Sequence, residues 1–194
     1  MKDDLLYSFG FRGLLTKAAL EKAGLTGKAS FTEKWEIENA KRLGIPLLDE
    51  ELVAKARKMA VVYTAICAFE NTVREFIEKK LLEERKADWW PKSVNIKIRQ
   101  KAEGRKKEES GVRWLAPRGA SLIYYTDFGD LISIMGSDQN LKFFEIHIDN
   151  IEWAKQIITT LEKSRNIIMH GGELAPTDIE RVGMYIRDWI RQVG

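Results

Sequence analysis

Residues 164–173 read SRNIIMHGGE, and they place Arg165, Asn166 and His170 where a helical pattern runs out into two glycines. At about 100° per residue, Asn166 lies about 100° and His170 about 140° round the helix from Arg165. Asn166 and His170 are therefore neighbours at i, i+4, and the long side chain of Arg165 can reach round to the same face. Ile168 falls on the opposite side, towards a core. This trio suits phosphodiester chemistry. An imidazole with an ordinary pKa near 6.5 can take the proton of a ribose 2′-hydroxyl or return one to a leaving 5′-oxygen. A guanidinium can grip the phosphate through paired hydrogen bonds and stabilise its transition-state charge. Asn166 can orient the imidazole or hold the scissile phosphate.

The rest of the chain offers little competing chemistry. Its other histidine, His147 in FFEIHID, has no second ligand at useful spacing, and Cys67 is the single cysteine. No metal site and no cofactor are expected. A Glu-x-Lys pair, Glu78 with Lys80, is of the kind that a highly charged chain produces by chance. One histidine supplies one proton-transfer group, whereas transesterification benefits from two. A two-fold dimer bringing two such helix ends together would supply both, and this is the commonest oligomer symmetry.

Positioning these groups requires a rigid scaffold, and 194 residues are enough to bury a real core. Hydrophobic residues at 44% and charged residues at 31% describe an ordinary globular chain. No apolar run approaches the roughly 18 residues of a membrane span. A lone cysteine and an N-terminus without signal character predict a cytoplasmic setting. The net charge of +3 is uneven: residues 92–118 hold nine Lys or Arg against three Glu, a local +6 that leaves −3 elsewhere. Such an island suits a polyanion, with Lys97, Arg99, Arg105, Lys106, Lys107 and Arg113 as candidate RNA contacts. Trp89, Trp90 and Trp114 flank or enter it. Core packing is their first expected use, and stacking on single-stranded bases the second.

Periodicity predicts helices throughout. Short patterns cover 14–23 and 33–43, the second stopping at Gly44-Ile45-Pro46. Residues 1–48 thus read as a helical appendage or as the first layer of a single domain, and 49–194 as the main helical domain. From 49 to 84, Leu52, Ala56, Met59, Val62, Tyr63, Ile66, Phe69, Val73, Phe76, Ile77 and Leu81 form the stripe of a long core helix. Asp49 suits its N-cap, and Pro91 disfavours helix at Trp90. AEGRKKEESG has the composition of a mobile loop, so the basic island reads as a loop insertion. Thr126 or Asp127 caps a short helix ending near Gly136. Asp149 with Glu152, and Thr177 with Glu180, open two closing helices, separated by Gly171-Gly172. Their stripes are Trp153, Ile157, Ile158, Leu161 and Ile168, then Ile179, Val182, Ile186, Trp189, Ile190 and Val193.

With these residues in view, RNIIMH resembles the Arg-polar-x-x-x-His signature of the HEPN superfamily, the higher eukaryote and prokaryote nucleotide-binding domains. CAFENTVREFIEKKL and LIYYTDFGDLISIM resemble the earlier and middle helices of several of its subfamilies, from about residue 50 onwards. The resemblance implies an all-α bundle and, for many members, a metal-independent endoribonuclease of toxin–antitoxin, phage-defence or RNA-processing systems. Its site would form at a homodimer interface, with Arg165, Asn166 and His170 catalytic and Glu70 and Arg74, one turn apart, in support. RNA would be cut by 2′-hydroxyl attack to 2′,3′-cyclic phosphate and 5′-hydroxyl ends, under an antitoxin or regulatory protein. The alternative is a non-catalytic module of the same kind that binds RNA, a nucleotide or a protein.

Overall fold

A computed structural model describes residues 31–193, so the pattern expected over 14–23 lies outside the described residues. The chain divides into two compact units, Met1–Val53 and Ala54–Gly194. In the first, α1 (Phe31–Arg42) ends at Gly44, whose φ of 68° needs no Cβ to be accommodated, and a 3-10 turn follows at Ile45–Leu47. Asp49 caps α2 (Glu50–Arg85) as expected, accepting a bond from the Leu52 N–H at 3.0 Å.

The second unit is built round α2. Met59, Val62, Ile66, Phe69, Val73, Ile77 and Leu81 recur at three- and four-residue steps and are buried. Leu52 and Ala56, assigned to the same stripe from sequence, are exposed. Lys86, in the left-handed region at φ 57°, ends the helix, and a 3-10 turn (Lys86–Asp88) leads into α3 (Trp89–Ser93). Trp90 is thus helical despite Pro91. The proline sits in the first turn of α3, where its missing N–H has no partner to lose.

The basic segment is a correction to the expected loop insertion. Residues 96–110 form α4 (Ile96–Ser110), with Asn95 accepting from the Lys97 N–H at 2.8 Å. Apart from Gly104 the segment is rich in Lys, Arg, Glu, Gln and Ala, all strong helix formers. It buries only Ala102 fully, so polarity hides the helical period. Next, a 3-10 turn (Leu122–Tyr125) packs on α4, and α5 (Phe128–Met135) opens with a capping box of Asp127 and Asp130 and closes at Gly136.

A short α6 (Leu141–Phe144) precedes α7 (Ile151–Met169) and α8 (Pro176–Val193). The α7 cap is Asn150, which accepts from the Glu152 N–H at 2.8 Å, and not Asp149. Pro176 is the first residue of α8, ahead of the expected Thr177, because a proline N1 is preorganised for helix. Helix α5 packs on α7, and α7 on α8. Trp189 of α8 is 1% exposed, edge-on to Phe69 at 5.5 Å and stacked on Trp153 at 5.9 Å. Ile190 and Ile179, read as part of its stripe, face outward. His147 lies edge-on to Phe76, a packing role. The described residues are helical with no strand. No helix among them is long and apolar enough to cross a membrane.

Candidate active site

Arg165 emerges from the last turns of α7 towards α2. Its Nη1 donates to both carboxylate oxygens of Glu70, at 3.1 and 2.8 Å. Glu70 is 4% exposed and also accepts from Arg74 Nη2, so one buried carboxylate lies between two guanidinium groups. Arg74 is fixed further by the Thr126 carbonyl at 3.3 Å and Asn71 Oδ1 at 3.0 Å, with the Tyr124 ring 5.9 Å away. The cluster carries a net +1. Arg74 is enclosed, whereas the Arg165 side chain keeps 25% of its surface open, so the surplus charge is presented at Arg165.

Asn166 turns its amide oxygen to Arg165 Nη2 at 3.4 Å, so its side chain bonds the arginine and, among the described residues, makes no hydrogen bond to the imidazole. His170 is the C-cap of α7 and is exposed. Its backbone N–H donates to the Asn166 carbonyl at 3.1 Å. Beyond it the chain makes a Schellman turn: Gly171 N–H donates to the Ile168 carbonyl at 3.0 Å, and Gly172 N–H to the Ile167 carbonyl at 2.8 Å. Gly171 has φ 79°, and a Cβ on Gly172 would meet Ile167 Cγ2 at 2.7 Å. The turn therefore favours glycine at 171 for its backbone and at 172 for lack of space. Leu174 is buried and its N–H points at Met59 Sδ, 3.3 Å away, which ties the turn to α2. His170 therefore stands on a braced helix end, five positions and about 7.5 Å of rise along the axis from Arg165.

Sequence reasoning missed Tyr63. On α2, residues 63, 67, 70 and 74 fall within an arc of about 60°, so Tyr63 and Cys67 share the face of Glu70 and Arg74. Burial raises the Tyr63 pKa above its usual value. The Cys67 thiol and the Glu70 carboxylate add to this, and the nearby Arg165 charge opposes it. The i, i+4, i+7, i+11 spacing was visible, but an aromatic on a long apolar stripe reads as core.

The basic island divides into scaffold and free charge. Arg105 Nη1 donates to Asp127 Oδ1 at 2.7 Å and to the Tyr125 carbonyl at 2.9 Å, and Lys101 also bonds Asp127. Burial alone would raise the Asp127 pKa; hydrogen bonds from Arg105 and Lys101 outweigh it and hold the carboxyl at about 2. Arg99 Nε donates to the Val94 carbonyl at 3.1 Å. Arg105, expected to meet RNA, thus also has partners within the scaffold. Lys97, Lys106, Lys107 and Arg113 are exposed and lack an ion-pair partner among the described residues. Among those residues, no three His, Cys, Asp or Glu side chains gather as a metal site.

These features define an all-α domain that sets a held arginine and a terminal histidine on one helix. A profile of the Swt1-like HEPN family matches residues 65–194, a span that holds Glu70, Arg74, Arg165, Asn166 and His170. The chain belongs to this family. HEPN domains include ribonucleases and RNA-binding modules. Comparisons with curated proteins and with solved structures give no match.

Proposed function

We propose that this protein is a metal-independent endoribonuclease. His170 removes the proton from a ribose 2′-hydroxyl, the 2′-oxygen bonds to phosphorus, and the P–O5′ bond breaks. The 5′-oxygen leaves with a proton from the His170 of a second copy, giving a 2′,3′-cyclic phosphate and a 5′-hydroxyl. Arg165 holds a non-bridging oxygen as charge builds there. Glu70 and Asn166 orient that guanidinium, and Arg74 holds Glu70 in place. Lys97, Lys106, Lys107 and Arg113 attract the RNA backbone.

The observation that carries this reading is Arg165 fixed by a buried carboxylate while its charge stays partly open to solvent, on the same helix end as the exposed His170. Ile167 and Met169, apolar and 46% and 63% exposed next to these residues, support a homodimer that assembles the site. By the family resemblance the protein acts as a toxin or phage-defence effector in the cytoplasm, restrained by an antitoxin or regulatory protein.

End-labelled RNA incubated in excess EDTA with wild type and with His170→Ala tests the proposal. Cutting by the wild type, with binding but no cutting by the variant, is the expected result. One observation favours the second reading, a non-catalytic module for RNA, a nucleotide or a protein: among the described residues the His170 imidazole has no side-chain partner to fix its tautomer. On that reading His170→Ala keeps the biological effect, and charge reversal at Lys106 and Lys107 removes it.

A further inference from the structure

Trp114 is 85% exposed, while Trp89, Trp90 and Trp189 are buried in the core and Trp153 stacks on Trp189. An indole held in water forgoes the gain that burial would bring, so its surroundings matter. The loop that carries it is braced. The Gly111 N–H donates to the Glu108 carbonyl at 3.1 Å, Val112 N–H to Glu109 at 3.0 Å, and Leu115 N–H to Val112 at 3.0 Å. Arg118 pairs with Glu109 and lies over the Tyr125 ring at 5.8 Å, pinning the far side of the loop. Trp114 therefore sits at the tip of a hydrogen-bonded turn.

The charge round it is one-sided. Arg113 is its neighbour, and Lys106 and Lys107 stand on the last turns of α4, all exposed and without ion-pair partners among the described residues. Of the nearby acids, Glu109 is taken by Arg118, which leaves Glu108. The loop also connects to the arginine cluster through contacts. Arg118 covers Tyr125, whose carbonyl accepts from Arg105, and the next carbonyl, that of Thr126, accepts from Arg74.

We propose that Trp114 is a stacking platform for an unpaired RNA base, so that this protein selects single-stranded over duplex RNA. A flat apolar face among free cations fits a chain that alternates bases with phosphates. In a duplex the base faces are already stacked on one another. The proposal rests on the RNA-binding reading above and adds to it the form of RNA bound.

The test measures binding of a labelled single-stranded 12-mer RNA, and of the same sequence as a duplex, by His170→Ala protein. That background leaves the probe uncut. Adding Trp114→Ala should weaken single-strand binding about ten- to a hundred-fold, with duplex binding within about twofold. Trp114→Phe should restore most of the loss. The salt slope should stay unchanged, since no phosphate contact is removed. Because the indole is exposed, the melting temperature should not move, and thermal denaturation excludes misfolding as the cause. Unchanged single-strand affinity, or an equal loss on both RNAs, overturns the stacking role and leaves the RNA reading standing. No binding of either RNA by the His170→Ala parent overturns both.

Discussion

Glu70 is where the site and the stability of the fold meet. Its carboxylate, 6% exposed at the side chain, offsets Arg74 at 11% and Arg165 at 25%. In Glu70→Gln the shape is kept and the charge is lost. Two partly desolvated guanidinium groups then face each other across a neutral amide that offers one oxygen in place of two. Breaking a buried pair by removing one partner costs about 3–5 kcal/mol. Arg165 can swing towards solvent, and Arg74 keeps Thr126 and Asn71, so the low end, about 3 kcal/mol, is expected. For a unit of this size that is a fall in Tm of about 10 °C. Removing a cation should cost less: Arg165→Met leaves Glu70 paired with Arg74, at about 1 kcal/mol. In the double variant the two losses should not add, because Arg165→Met removes one of the two cations that face each other once the carboxylate is neutral, leaving Arg74 alone. Urea unfolding of the four proteins measures this cycle. A Glu70→Gln cost within about 0.5 kcal/mol of zero, or strict additivity, would refute the carboxylate's role as counter-charge to both arginines. If the proposed ribonuclease reaction holds, turnover offers a second readout: with Arg165 no longer oriented, kcat should fall about tenfold with little change in KM.

Three other outcomes follow from the geometry. Asp127, held at about 2 by Arg105 and Lys101 against its burial, contributes stability above the unfolded-state pKa near 4, and that contribution is lost as pH falls towards 2. Asp127→Asn should therefore be about 1 kcal/mol less stable at pH 7, a discounted figure for a pair this open to solvent, with the gap closing on acid titration. Gly171→Ala meets no neighbour within 4 Å, so only its φ of 79° matters; a loss of about 1 kcal/mol in thermal unfolding is expected. Lys106→Glu with Lys107→Glu should reduce the slope of log K against log salt for single-stranded RNA by at least about 1.4, from roughly 0.7 per phosphate contact.

The long periodic helices α2 and α7, the Asp49 cap, the short α5 and the glycine stop after His170 were legible because each is written in local spacing. The placement of Arg165, Asn166 and His170 at the end of one helix was legible for the same reason, whereas the bond between Asn166 and Arg165 was not. Glu70 and Arg74 were visible as an i, i+4 pair, but the link from Glu70 to Arg165 spans 95 residues and no local pattern encodes it. Helix α4 was misread because a helix lying on the surface with one fully buried alanine has almost no apolar period. The partners of Arg105, Asp127 and the Tyr125 carbonyl, lie 20 or more residues away, so sequence does not show them. Adjacent capping residues exchanged places, Asn150 for Asp149, since either side chain can accept the same bond.

The chemistry proposed for His170 turns on one atom of the substrate. The direct measurement uses an RNA with a single 2′-deoxynucleotide placed 5′ to the cleaved bond, incubated with wild type in excess EDTA beside the all-ribose strand. The account predicts cutting of the ribose strand to 2′,3′-cyclic phosphate and 5′-hydroxyl ends, and no cutting at the deoxy position. Cleavage there at an undiminished rate would show that water or another nucleophile attacks, and would contradict the proposed reaction.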